Sequence, residues 1–210
     1  MPHSRRGGAG SRPPRGRARD RNPVWHLQRV LHSRLHEPLR YVGNAMASDP
    51  RECKAGRRPD NELTVTHLCA AVSIVRSGDL VLEALRRLEP GIPVGKILIQ
   101  RDEEDPEKRA KLFYDKLPPN IQALKVLLVD PMLATAGSAL KAIEVLESRG
   151  VPAENITFLN MISCPEGIAA LRERYPTMHL VTLAIDEKLN ENKYIVPGIG
   201  DCGDRAYQTL

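Results

Sequence analysis

Five short runs, Leu68–Val75, Lys96–Gln100, Val126–Val129, Ile156–Met161 and His179–Ile185, carry apolar residues at consecutive rather than alternate positions. A strand with one face in water alternates, whereas a strand covered on both faces does not. Segments of helical pattern separate several of these runs. Asp79 is placed to cap a helix over Leu80–Glu89, with Leu80, Ala84, Leu85 and Leu88 on one face and Pro90-Gly91 as its stop. A second helix is predicted over Gly137–Arg149, stopped by Gly150, and a third opens at Pro165 and ends before Pro176. Apolar strands alternating with helices predict an α/β domain, a mainly parallel sheet with helices on both faces.

The 210 residues sum to a formal charge of +5, but that charge does not belong to the domain. Residues 1–22 hold seven Arg and one Asp, a net +6, so the other 188 residues sum to −1. This Arg/Gly/Pro-rich tail has no periodic apolar residues and is expected to be disordered. Its composition suits a solvated extension, an organellar transit peptide or a binder of RNA phosphates. Residues 23–62 are poorly defined: Trp25, Leu27, Val30, Leu31 and Leu35 fit a short helix over 24–36, and 46–62 read as polar loop. The ordered domain is expected over 63–210. No apolar stretch approaches the roughly 18–20 residues of a membrane span, so a soluble protein without a membrane partner is expected. Cys53, Cys69, Cys164 and Cys202 lie far apart without a C-x-x-C, which indicates neither zinc nor a disulfide framework and fits a reducing cytoplasm. His32 and His36 lack a third ligand, and no metal site is assigned to them.

In such a sheet, ligands sit beyond the carboxyl ends of the strands. Arg76 follows the first run, Arg101 the second, Asp130 the third and Asp186 the fifth, so two arginines and two acids are expected on one rim. That composition suits a ligand bearing phosphate with a sugar or metal. The most informative element is VLLVDPMLATAGSA (126–139): an apolar strand, one acid, then Ala134-Thr135-Ala136-Gly137-Ser138 opening a helix. Small residues let successive backbone N–H groups close around a phosphate, the helix dipole favours the anion, and the Thr135 and Ser138 hydroxyls add donors. Asp130 is placed to accept hydrogen bonds from sugar hydroxyls. No Lys follows Gly137, so this is not a Walker A loop. The acidic run Asp102–Asp105 is either a solvated loop or a flank of the site.

The motifs VSIVRSGD (72–79), ILIQRDEE (97–104), KLFYDKLP (111–118), DPMLATAGSA (130–139), PEGIAAL (165–171), IDEKLNENKYIVPGIGD (185–201) and GDR (203–205) together resemble the uracil phosphoribosyltransferases, of the type I phosphoribosyltransferase fold. They run in family order from about residue 68 to the C-terminus, and YIVPGIGD is the specific one. The resemblance implies a pentosyltransferase of pyrimidine salvage. Ribose 5-phosphate would pass from 5-phospho-α-D-ribose 1-diphosphate (PRPP) to uracil N1, giving UMP and diphosphate. It implies that Arg76 and Arg101 hold the diphosphate. PRPP would also be bound by Asp130, Pro131, Met132 and Leu133, by Ala134, Thr135, Ala136, Gly137 and Ser138 around the 5-phosphate, and by Asp201. Uracil would be read by Ile195, Gly200, Asp201 and Cys202, with Tyr194 packed beside the base or simply in the core. Asp130, Asp201 and Arg101 are the implied catalytic residues; Asp201 is the nearest candidate for a general base, and none is identified. Mg²⁺ would arrive chelated by PRPP, with no protein ligand assigned, and the resemblance admits GTP as an activator and a homo-oligomer as the assembly.

Two departures stand out. Ala136-Gly137 replaces a Gly-Gly pair of the phosphate loop, which would cost roughly 1–2 kcal/mol if the first position needs positive φ. Residues 1–62 show none of the family's N-terminal helices and hairpin. Cys202 is expected at the pocket edge and not as a nucleophile. Two alternatives therefore stay open beside the enzyme: an impaired phosphoribosyltransferase-like nucleotide sensor or subunit, and an RNA-associated protein using the tail. Nucleic acid is not the partner expected of the domain itself.

Overall fold

Consecutive residues of the central strands point to opposite faces of a sheet, and both faces are covered. In this computed structural model, residues 55–57, 63–65, 69–101 and 110–209 are described. The tail, the expected helix over 24–36, His32, His36, Cys53 and the Asp102–Asp105 run lie outside them. Strands β1 (Ala55–Arg57) and β2 (Leu63–Val65) form a separate antiparallel pair. The first of them falls within residues that composition reads as loop.

The main unit runs β3 (Cys69–Val75), α1 (Gly78–Leu88), β4 (Val94–Arg101), β5 (Ala110–Lys116), β6 (Lys125–Val129), β7 (Met132–Leu133), α2 (Gly137–Ser148), β8 (Ile156–Ser163), α3 (Pro165–Arg174) and β9 (His179–Ile185). The short strands β10 (Lys188–Leu189) and β11 (Ile195–Val196) pair with each other, and α4 (Cys202–Tyr207) follows. The sheet order is β5-β4-β3-β6-β8, with β9 on the far side of β8 and β7 also paired to β8. All its pairings are parallel except β4 with β5. The antiparallel edge arises because β5 returns directly from β4, with a register shift at Leu98/Ile99. This strand, within KLFYDKLP, escapes a reading based on apolar runs because it is an edge: Phe113 and Tyr114 are exposed.

Val72, Ile74, Val126, Leu128, Ile156 and Phe158 project into one buried cluster, with Ala139, Ala142, Ile143 and Leu146 of α2 and Leu171 of α3. Their neighbours Ala71, Leu127, Val129, Leu159 and Met161 project into a second, with Leu80, Val81, Leu82 and Leu85 of α1. Two layers thus account for strands that are apolar at every position. Gly150 ends α2 with φ 84°; its N–H donates to the Glu147 carbonyl and the Val151 N–H to that of Leu146, a left-handed helix stop. The expected Asp79 cap is corrected. The α1 N-cap is Ser77, and the Asp79 carboxylate, inside the first turn, accepts from the Ser73 hydroxyl at 2.6 Å and Lys96 Nζ at 2.5 Å. A basic partner on β4 outbid the local backbone for it.

Close approach fixes α3 beneath the loop that follows β7. A Cβ on Gly167 would lie 2.3 Å from the Ala134 carbonyl oxygen and 2.8 Å from that of Leu133. Gly167→Ala is therefore expected to destabilise the fold by about 1–3 kcal/mol, the usual cost of overpacking. Urea unfolding measures this, and an unchanged midpoint would contradict the packing.

Candidate active site

The ladder between β6 and β8 stops at Val129 and resumes in β7, and the interruption is Asp130-Pro131. Pro131 fastens this break to β8: its carbonyl oxygen accepts the N–H groups of Met161 and Ile162, both at 3.0 Å. Pro131 thus faces the sheet, while Asp130 is turned to the pocket floor. The Asp130 carboxyl is buried, and burial pushes its pKa from 3.8 up to about 7 against the hydrogen bonds of the Ser77 hydroxyl and the Met132 backbone; the nearby Asp201 charge raises it further. Ser77 Oγ donates to Asp130 Oδ1 at 2.7 Å, which joins the end of β3 to the end of β6. A buried acid with a strongly shifted pKa in a cleft is a frequent mark of a working site.

Residues 132–138 form one wall of a pocket of about 210 Å³. Ala136, the residue before α2, adopts φ 65° and ψ −2°, the left-handed conformation that costs a residue with a Cβ roughly 1–2 kcal/mol. Gly137, by contrast, has an ordinary φ, and a Cβ there would meet only Thr135 Oγ1, at 3.7 Å. The glycine of the pair thus stands where conformation does not demand one, and the alanine where it does.

The opposite wall comes from the start of β11 and the turn into α4. Tyr194, Ile195, Gly200, Asp201 and Cys202 line the same pocket. Ile195 is buried, while Tyr194 is 44% exposed and so is not core. The Gly198 N–H donates to Asp186 Oδ2 at 2.9 Å. This corrects the expectation that Asp186 joins the rim: it secures the Pro197-Gly198 turn, and the acid beside Asp130 is Asp201. Asp201 caps α4, accepting the Asp204 N–H at 2.8 Å. Burial, then the charges of Asp130 and Asp201, push the Cys202 thiol up to about 12, so it stays protonated and is a poor nucleophile.

Arg76 follows β3 but does not line the pocket; its guanidinium reaches Asp204 and Thr209. Arg101 ends β4, and its side chain lies outside the described residues. Ser77, Lys193 and Gly203 line the pocket; each lies in a quoted motif, but none was given a site role from sequence. Ser77 was accessible in principle, since it sits between the strand-end arginine and a helix; Lys193, at φ 62°, had no such signal.

A family model described as uracil phosphoribosyltransferase matches residues 30–209, which begins well before the first quoted motif. A uracil phosphoribosyltransferase of Saccharomyces cerevisiae is 53% identical over 136 residues, 65% of this chain and 62% of that protein. One of Lachancea kluyveri is 42% identical over 184 residues, 88% of this chain and 83% of that protein. The solved hypoxanthine phosphoribosyltransferase of Trypanosoma cruzi, in complex with the product IMP, shares the fold at a TM-score of 0.50 and 15% identity, over 77% of this chain and 79% of the other. With a family model over most of its length and relatives at 42% and 53% identity, the chain that brings Asp130, Asp201 and the small-residue loop before α2 to one pocket belongs to the uracil phosphoribosyltransferase family.

Proposed function

We propose that this chain carries out the reaction for which its family is named, transfer of the 5-phosphoribosyl group of PRPP to uracil N1, giving UMP and diphosphate in pyrimidine salvage. The observation that carries this reading is that the loop 132–138 and Asp130 open onto one pocket with Tyr194, Ile195, Gly200, Asp201 and Cys202. In it, the 5-phosphate lies against the N-terminus of α2, where backbone N–H groups and the Thr135 and Ser138 hydroxyls donate. The carboxylate of Asp130 accepts the ribose hydroxyls. The pyrimidine lies beside Tyr194 and is read by backbone groups of Ile195, Gly200 and Cys202, whose fixed pattern disfavours a base with other donors and acceptors.

Loss of diphosphate leaves positive charge on the ribose, as in glycosyl transfer, so positioning and charge stabilisation supply most of the catalysis. Arg76 and Arg101 receive the diphosphate; paired guanidinium donors suit its oxygens. Among the described residues no group of three or more His, Cys, Asp or Glu could hold a metal ion, while Asp130 and Asp201 share the pocket. That donor set fits Mg²⁺ carried by the diphosphate and ribose oxygens of PRPP. When bound, the ion neutralises charge on the leaving group. GTP activation and a homo-oligomeric assembly belong to the same reading, with no residue assigned to either. No described helix is long and apolar enough to cross a membrane, and Cys164 and Cys202 are unbridged thiols, which supports placing the protein in the cytoplasm. One observation favours the second reading, an impaired nucleotide sensor: Ala136 in left-handed backbone at the phosphate loop.

Formation of UMP from uracil, PRPP and Mg²⁺ by the purified chain separates the two. Turnover is expected, and a folded sample without it would favour the sensor. Ala136 borders the pocket, and Ala136→Gly should tighten PRPP binding severalfold by giving the loop freedom to close on the 5-phosphate; calorimetry giving equal or weaker affinity would contradict this. The left-handed strain, present with or without ligand, bears on stability instead. The raised Asp130 pKa also has a cost in stability. Between about pH 4 and 7 the folded protein holds a proton that the unfolded chain releases, so stability is lost as pH rises through that window. Asp130→Asn should therefore raise stability, by about 2 kcal/mol more at pH 8 than at pH 5. Thermal unfolding at the two pH values measures it, and a pH-independent gain would exclude a buried ionised carboxyl.

A further inference from the structure

Asp204 of the motif Gly203-Asp204-Arg205 does not line the pocket, yet it meets Arg76, the one of the two arginines expected to hold diphosphate whose side chain is described. Arg76 Nη2 donates to Asp204 Oδ1 at 2.6 Å and Nη1 to Thr209 Oγ1 at 2.9 Å. The Thr209 hydroxyl donates to the same Asp204 oxygen at 2.7 Å, which closes a three-membered constellation. The guanidinium carbon lies 5.8 Å from the centre of the Tyr207 ring, whose hydroxyl donates to the Arg76 carbonyl oxygen at 3.1 Å. Four contacts thus join the strand end to residues 204–209, more than 120 positions later in the chain.

Surface stability does not explain such an arrangement. The Arg76 and Asp204 side chains are 45% and 33% exposed, and ion pairs of that exposure add little to folding. What the contacts do fix is direction. Arg76 has five N–H donors on a long side chain, and ordering such a chain when a ligand arrives weakens binding. A carboxylate and a hydroxyl that hold two of the donors, with the Tyr207 ring beside the guanidinium, leave the other donors aimed before the ligand comes. The Thr209 hydroxyl and the Arg76 guanidinium hold the Asp204 carboxyl below its ordinary value, so the anchor is ionised at neutral pH. Gly203 keeps the space between Asp201 and Arg76 narrow: a Cβ there would lie 3.3 Å from Asp201 Oδ1 and 3.6 Å from Arg76 Nη2.

We propose that Asp204, together with Thr209, is a positioning residue that orients the Arg76 guanidinium for the diphosphate of PRPP. This rests on the reading of Arg76 as a diphosphate group. The opposite role, a carboxylate that competes with diphosphate for the same donors, predicts the opposite sign.

Diphosphate binding by calorimetry and steady-state kinetics on the full chain would test it, with Asp204→Ala, Asp204→Glu, Thr209→Val, Arg76→Ala and the Arg76→Ala/Asp204→Ala pair. Asp204→Ala should weaken diphosphate binding and raise KM for PRPP about tenfold, with KM for uracil changed less than twofold. Thr209→Val should produce a smaller effect of the same sign, and Asp204→Glu should recover part of the loss. In the Arg76→Ala background, Asp204→Ala should add nothing. Equal effects of Asp204→Ala with and without Arg76, tighter diphosphate binding, or unchanged binding in both Asp204→Ala and Thr209→Val would each overturn the proposal. Absence of UMP formation by the parent chain would instead overturn the functional reading, and the diphosphate calorimetry would still judge the role of Asp204.

Discussion

Burial of the Asp130 carboxyl is the constraint on which the rim depends. The chain places an acid where it loses water, at the break between β6 and β7, and only two kinds of group compensate it: the Ser77 hydroxyl and the backbone at Met132. Ser77 opens α1 and follows β3, so the acid also locks two strand ends together. Its partner carboxylate, Asp201, is engaged by the first turn of α4. A site assembled this way is held against the preference of its own charged group, as sites under functional demand commonly are.

The parts of the fold legible in sequence were those whose physical cause is local. Consecutive apolar residues disclosed β3, β6 and β8, because a strand buried on both faces needs nothing from its neighbours to show itself. Gly150 and Pro165 disclosed helix ends for the same reason. Asp130 and the residues from Met132 to Ser138 do meet Tyr194, Ile195, Gly200, Asp201 and Cys202 across one pocket, which Pro131 does not line. What escaped was decided at a distance. Asp79 found Lys96 on the next strand, Asp186 found the Gly198 N–H, and Arg76 found Asp204; no spacing rule predicts such partners. The edge strand β5 escaped because an exposed edge carries a mixed pattern, and β7, β10 and β11 because two residues are too few to show any.

Ala136 illustrates how sequence and conformation can part company. From sequence, the pair Ala136-Gly137 is one glycine short of its family's pattern, with a cost expected at the first position only if its φ is positive. The backbone locates the cost at Ala136, whose φ is 65°, while Gly137 would accept a side chain on conformational grounds. The methyl group of Ala136 is itself buried among the core residues below α2, which offsets part of that cost.

The two buried layers carry a consequence for how such a domain can change. Leu133, Ala136 and Ala139, at the loop against which the 5-phosphate is proposed to lie, pack into the layer of α2 and α3. Cys202, Ile199 and Ala206, around the proposed base-reading segment, pack into the layer of α1 on the other side of the sheet. The sheet acts as a partition, so a substitution that reshapes one layer reaches the other only through the strands between. Descendants of this chain could therefore acquire a different preference for the base while inheriting the sugar-phosphate half intact, two traits free to drift separately behind a shared wall.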